Sequence, residues 1–158
     1  MVYSIVPFRQ YEALRGNGQK EASMERTALY ELAAEAATKS YSPYSRFRVG
    51  AALLCADGTV VCAANVENRS YGLAICAERS ALVSAIAQGK TEFTELVIST
   101  PDSDYPVSPC GACRQFISEF VGADFPIRFG CSKDSYVDST MGELFPHDAL
   151  HELKDRTE

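Results

Sequence analysis

Cys76-Ala77-Glu78 and, further along, Pro109-Cys110-Gly111-Ala112-Cys113 decide how this chain is read. They supply one thiol and one carboxylate, then a second pair of thiols. Zn²⁺ favours four tetrahedral ligands, and a catalytic zinc site keeps one of the four positions for water or substrate. Cys76, Cys110 and Cys113 would supply three thiolates. A C-x-x-C pair can grip one metal from a single helical turn, and the fold has to bring Cys76 to it. Glu78 lies two residues past Cys76, close enough to serve the water at the open position without ligating the metal. A carboxylate there can take a proton and hand it on.

Local patterning supports the pairing. Each cluster opens a helix-like run, at residues 77–87 and 110–120. Helix N-termini carry positive partial charge and unpaired N–H groups, which favour thiolates. Pro109 fits the helix start, where a missing N–H is harmless. Three thiolates on Zn²⁺ leave about one net negative charge, which weakens the metal as a Lewis acid. Arg79 and Arg114 adjoin the clusters and are candidates to offset it. Other readings stay open at this point. The cysteines also suit a closed structural zinc site or buried thiols, although neither His147 nor His151 sits in a motif that offers a fourth ligand. Glu78 alone also suits a helix first turn, worth ~0.3–1 kcal/mol.

The combination resembles the zinc deaminases, with a His or Cys ligand, a Glu two residues on, and a later P-C-x-x-C. Cys76-Ala77-Glu78-Arg79 and Pro109-Cys110-Gly111-Ala112-Cys113-Arg114-Gln115 look like the all-cysteine version found in cytidine deaminases. Tyr41-Ser42-Pro43-Tyr44-Ser45-Arg46-Phe47, Val49-Gly50-Ala51-Ala52-Leu53-Leu54 and Asn65-Val66-Glu67-Asn68 resemble that family's short, tetrameric branch. The resemblance runs from about residue 27 to 146. It implies one Zn²⁺ per subunit and hydrolytic deamination of cytidine and 2′-deoxycytidine to uridine, 2′-deoxyuridine and ammonia, a pyrimidine-salvage reaction. It implies Glu78 as the acid/base residue, Phe47 against the pyrimidine, and Asn65 and Glu67 on the ribose hydroxyls. It also implies a homotetramer in which Tyr71 reaches a neighbouring subunit's site. Ala77, at a helix start, offers a backbone N–H to orient the attacking oxygen, and Arg79 tunes the thiolate charge. Taken as residues alone, Asn65 and Glu67 also read as a solvated strand end, and Phe47 and Tyr71 as core aromatics. Two positions depart from the family pattern. Arg69 stands where relatives often carry a small residue. Phe145-Pro146 is followed by His147-Asp148-Ala149-Leu150, without the aromatic that covers a partner site in many relatives. Two alternatives follow: a blasticidin-S-type or other modified-cytosine deaminase, and a non-catalytic zinc-stabilised interaction module.

Length and composition agree with a small-molecule enzyme. A chain of 158 residues is one domain's worth. Apolar content of 46% and charged content of 23% are ordinary for a globular protein. No apolar run approaches the ~20 residues of a membrane span. Residues 1–9 lack the basic and apolar regions of a signal peptide, so a cytoplasmic location is expected. A net charge of −6 argues against long nucleic acid as substrate. With no secretory signal, the six cysteines point to metal or buried thiols. Cys55, Cys62 and Cys131 read as small buried hydrophobes.

Residues 1–22 form an extension, expected to be flexible, with a loop at Arg15-Gly16-Asn17-Gly18-Gln19-Lys20. Residues 23–158 are expected as a single cytidine deaminase-like domain. Residues 23–39 read as a helix capped by Ser23, with alanines that imply close packing. Residues 48–55 and 60–66 bracket Asp57-Gly58, a hairpin signal. Nearly continuous apolar character means both faces are covered. A strand at 96–100, two short strands at 126–130 and 135–138, and a capping box at Thr140-Met141-Gly142-Glu143 complete the pattern. The charged tail from His147 is expected to be helical. The order α-β-β-α-β-α-β-β implies an α/β fold: a three-layer α/β/α sandwich around a mixed five-stranded sheet.

Overall fold

The computed structural model describes residues 3–6, 19–150 and 153, with side chains described from residue 26. In chain order the elements are β1 (Tyr3–Val6), α1 (Gln19–Ala37), β2 (Gly50–Cys55), β3 (Val60–Ala64), a 3₁₀ turn at Tyr71–Leu73, α2 (Ala77–Ala87), β4 (Phe93–Ser99), α3 (Gly111–Ser118), β5 (Pro126–Ser132), β6 (Ser135–Thr140) and α4 (Met141–Leu144).

The expected hairpin is present. Gly58 takes φ 83, its N–H donates to Cys55 O at 2.9 Å, and Thr59 N–H donates to the Asp57 carboxylate at 3.0 Å. These are the properties that place Asp-Gly in turns. β2 pairs antiparallel with β3 and with β4, β4 runs parallel to β5, and β5 pairs antiparallel with β6. The connection from β4 through α3 to β5 is the crossover that parallel pairing requires.

Side chains alternate between two cores with the strand period of two. Ala51, Leu53, Val61, Ala63, Leu96 and Ile98 meet α2 and α3 on one face. Ala52, Leu54, Val60, Cys62 and Val97 meet Leu29, Tyr30, Ala33 and Ala36 of α1 on the other. That arrangement is the expected sandwich. Strands β2 to β6 form its mixed sheet of five. β1, within the expected extension, adds a sixth at the β3 edge, with Tyr3 opposite Ala63 and Val6 opposite Val60.

Several boundaries differ from expectation. α1 begins at Gln19, so Ser23 lies inside the helix and does not cap it. Gln19, Lys20, Glu21 and Ala22 are good helix formers, and they extend the helix towards the N-terminus. The rest of the loop expected at residues 15–20 lies outside the described residues, as does most of the tail expected to be helical. β2 begins at Gly50 and β3 ends at Ala64, which leaves residues 48–49 and 65–67 to build the site. Cys55 and Cys62 are buried as expected, and burial pushes their thiols up to about 11 and about 12. Cys131 is only half-buried, at the β5 bulge.

Gly50 explains the alanines of α1. A Cβ there would lie 1.9 Å from Ala33 O and 2.5 Å from Ala37 N. The helix backbone rests on the strand, so only small residues fit the contact. On the β5–β6 side, Arg128 bonds Asp138 at 2.6 Å and lies over the Tyr136 ring, while Arg26 of α1 pairs with Glu95 at 3.0 Å. The predicted capping box is formed: Thr140 and Glu143 satisfy each other's backbone N–H groups at the start of α4.

Candidate active site

Cys76 and Cys110 are the N-cap residues of α2 and α3, both with extended backbone. Cys113 lies a turn into α3 and is fully buried. An N-cap residue and the residue three positions on share one side of a helix start, which is why C-x-x-C can act as a pair. The crossover topology sets the two helix starts side by side. The three Sγ atoms lie within 4.8 Å of one another, and Cys76 Sγ is 3.9 Å from Cys110 Sγ. Sulfurs at ~2.3 Å on tetrahedral zinc stand ~3.8 Å apart, so the donor set fits Zn²⁺ and leaves one position of four to other ligands.

Within the protein alone the cluster already stabilises one thiolate. A hydrogen bond from the Cys113 thiol to the Cys76 sulfur, with Arg79 alongside, brings Cys76 down to about 5. The same contact, with burial, pushes Cys113 up. Arg79 Nη2 stands 3.9 Å from Cys76 Sγ and donates to Ala74 O at 3.1 Å. Its Nε is buried without a hydrogen-bond partner, beside sulfurs that become anionic with metal. Arg114 is placed differently. Its guanidinium donates to Pro109 O, Leu144 O and Ser108 Oγ at 2.7, 3.0 and 2.9 Å, bracing the loop that leads into α3.

Glu78 is the second residue of α2 and is only 4% exposed. Burial pushes its carboxyl up to about 7, against the pull of its own backbone N–H; the Cys76 charge raises it further. A carboxyl with that affinity can both take and give a proton near neutral pH.

Glu78, Cys76 and Cys110 line a cavity of about 470 Å³, together with Phe47, Asn65 and Glu67. Asn65 and Glu67 therefore line one cavity, just beyond the end of β3. Both also hold the loop before β2. Asn65 Oδ1 accepts from Val49 N at 2.8 Å and its Nδ2 donates to Phe47 O at 2.9 Å. Glu67 accepts from Tyr44 N at 2.9 Å and from Ser45 Oγ at 2.5 Å. Ala77 is fully buried at the first position of α2, between Cys76 and Glu78. Tyr71 lies outside the cavity of its own chain. It is 80% exposed, its ring 6.4 Å from that of Tyr44 in an adjoining cleft shared with Glu67.

The sequence reading had not picked out the walls. Val49, Val66, Ile98, Thr100, Val107 and Ser108 are among the other lining residues. Ile98 and Thr100 had a usable signal, since they lie at the carboxyl end of β4, where α/β sheets hold ligands. Among the described residues no lysine, arginine or histidine lines the cavity, whereas two carboxylates do.

The comparisons agree with this geometry. The family described as "Cytidine and deoxycytidylate deaminase zinc-binding region" matches residues 23–127. A cytidine deaminase of Halalkalibacterium halodurans is 44% identical over 123 residues, covering 78% of this chain and 92% of its own. A probable cytidine deaminase of Dictyostelium discoideum is 44% identical over 107 residues, covering 68% and 71%. The crystal structure of cytidine deaminase from Burkholderia pseudomallei superposes with a TM-score of 0.72 at 42% identity, over 75% of this chain and 94% of that one. That from Mycobacterium tuberculosis gives 0.64 at 35% identity, over 75% and 92%.

Proposed function

The chain belongs to the cytidine and deoxycytidylate deaminase family, and from that premise we propose that it hydrolyses cytidine and 2′-deoxycytidine to uridine and 2′-deoxyuridine, releasing ammonia. The observation that carries the reading is Glu78: a buried carboxyl at the wall of an apolar cavity, beside three sulfurs spaced for one zinc ion.

Cys76, Cys110 and Cys113 hold the metal. Bound there, zinc supplies Lewis acidity that makes water nucleophilic near neutral pH. Glu78 accepts one proton of the attacking water and delivers it to ring N3; it then takes the hydroxyl proton of the C4 adduct and gives it to the amino nitrogen, so that the C4–N bond breaks, ammonia leaves and the C4 carbonyl forms. Ala77 N–H orients the oxygen that attacks C4. Phe47 lies against the pyrimidine, the Glu67 carboxylate accepts from a ribose hydroxyl, and Asn65 Nδ2 donates to one. Arg79 offsets the thiolate charge. A second copy completes each site in a homotetramer, with Tyr71 reaching across; its exposure on its own chain supports that role.

The charge of the cavity supports an unphosphorylated substrate. A 5′-phosphate would enter a cavity that carries two carboxylates and, among the described residues, no cation. Likewise the net charge of −6 disfavours nucleic acid as a partner. No helix among the described residues is long and apolar enough to cross a membrane. The cytoplasm is the compartment we propose.

The test is ultraviolet absorbance of zinc-replete protein with cytidine, 2′-deoxycytidine, cytosine, deoxycytidylate and blasticidin S. The two nucleosides should lose the cytosine band and the others should not. Glu78→Gln should keep its zinc and lose roughly 10²–10⁴-fold in turnover. Turnover of blasticidin S alone would move the chain to an antibiotic substrate. Full activity in Glu78→Gln would remove its acid/base role.

A further inference from the structure

Phe47 reaches the cavity from a loop that the backbone does not favour. Arg46 takes φ 59, in the left-handed region. For a residue with a side chain this conformation is strained and persists only where neighbours over-determine it. Here the neighbours can be named. The N–H groups of Tyr44 and Ser45 go to Glu67, that of Arg46 to Ser42 O, that of Phe47 to Ser45 Oγ and that of Val49 to Asn65. The remaining one, Arg48 N–H, donates to Asp102 Oδ2 at 2.8 Å.

Asp102 differs from the other anchors in its position. Asn65 and Glu67 line the cavity and adjoin the loop along the end of β3, whereas Asp102 does not line it at all. Asp102 belongs to the segment that follows β4, the strand paired with β2, and that segment also carries Thr100, Val107, Ser108 and Cys110 of the lining. Its carboxylate also receives the Arg48 guanidinium, with Nε at 2.9 Å and Nη2 at 2.5 Å. This bidentate grip orients the carboxylate towards the backbone N–H. One side chain outside the cavity thus joins the aromatic wall to the wall that ends in a metal ligand.

We propose that Asp102 is a positioning residue for the pyrimidine: through its bond to Arg48 N–H it locks the strained loop at residues 45–49, so that Phe47 is presented to the site at a fixed distance from the Cys110 side. It touches neither substrate nor metal. The role rests on the deaminase reading, because the group it positions is the one that lies against the base.

The backbone bond is what matters, and four variants separate it from the ion pair. Asp102→Ala should raise KM for cytidine roughly tenfold, with zinc content intact and kcat little changed, since misplacement of a binding group is felt first in binding. Asp102→Asn keeps an acceptor for Arg48 N–H and should restore most of the KM. Arg48→Ala loses the guanidinium that orients the carboxylate but keeps the backbone donor, and should raise KM by much less than Asp102→Ala. Asp102→Leu, which also lacks an acceptor, replaces Asp102→Ala if that variant does not retain its metal. A second readout needs no turnover. The chain has no tryptophan, so Phe47→Trp places a single reporter in the loop. Adding Asp102→Ala to it should red-shift the emission as the ring gains water. Wild-type KM in Asp102→Ala, an unchanged Phe47→Trp emission, or an Arg48→Ala defect as large as that of Asp102→Ala would each overturn the proposal. If the wild-type chain leaves cytidine untouched, the deaminase reading falls instead, while the emission still reports on the lock.

Discussion

A carboxyl group buried beside sulfurs is expensive to ionise, and the site exploits that expense. Burial lifts Glu78 to about 7, where one group serves as base and then as acid. Arg79 works in the opposite sense, as a fixed cation 3.9 Å from Cys76 Sγ. Arg79→Ala should weaken zinc affinity by about 10–100-fold, the usual effect of removing a group that supports a metal ligand. Competition with a chelator measures it, and unchanged retention would mean that the helix starts alone offset the thiolates. Asp102 gives a pH signature. Its bonds from Arg48 hold the carboxyl down from its ordinary 3.8 to about 2. A depressed carboxylate contributes stability that is fully present above the unfolded value and is lost as pH falls through the folded one. The difference in melting temperature between wild type and Asp102→Asn should therefore be constant above about pH 4 and shrink towards pH 2; a difference that grows on acidification would contradict the assignment. Glu78 and the cysteines were legible in sequence because their spacing is local and their chemistry specific. Asp102 was not, because its partner Arg48 is 54 positions away and nothing near either residue announces the other.

At the scale of elements, the tightest contact is α1 against β2. Since a Cβ on Gly50 would overlap the backbone of Ala33, the Gly50→Ala variant must push helix and strand apart. Overpacking of this kind costs about 1–3 kcal/mol, and each kcal/mol lowers the melting temperature of a chain this size by roughly 2–4 °C. A thermal melt of the zinc-loaded variant tests this; a wild-type midpoint would show that the contact is slack. The alanines of α1 predicted close packing, and periodicity placed all the helices and strands from residue 19 onwards. Element ends were less legible. α1 starts before Ser23 because four helix-forming residues outweigh one capping side chain. Strands β2 and β3 stop short because the flanking residues take other partners: Arg48 N–H goes to Asp102, Val49 N–H to the Asn65 side chain, and Val66 bridges to Tyr41 and Ile75. Propensity describes neither choice, since both are made by contacts distant in sequence.

For the whole molecule, the sheet order sets the two cysteine-bearing helix starts against each other and leaves β1 as a separable addition. We propose residues 23–158 as the catalytic domain. Because α1 begins at Gln19, the chain to test is one that starts there. It should keep its zinc and its turnover, while the β3 edge that β1 covers becomes available for pairing. Sedimentation at rising concentration would then show more self-association than the full chain, and loss of zinc on truncation would instead make the extension part of the domain. The sequence by itself determined the reaction class and the layered α/β plan, and singled out the three clustered cysteines and the Glu78 proposed as acid/base residue, because each is carried by spacing within a few residues or by the period of burial. Only the tertiary structure decided which walls enclose the cavity, that Asn65 and Glu67 also hold the loop bearing Phe47, that Arg79 and not Arg114 faces the sulfurs, and that Asp102 ties one wall to the other. Those relations come from the crossover that brings remote segments together, and a linear pattern holds no record of the distance between them.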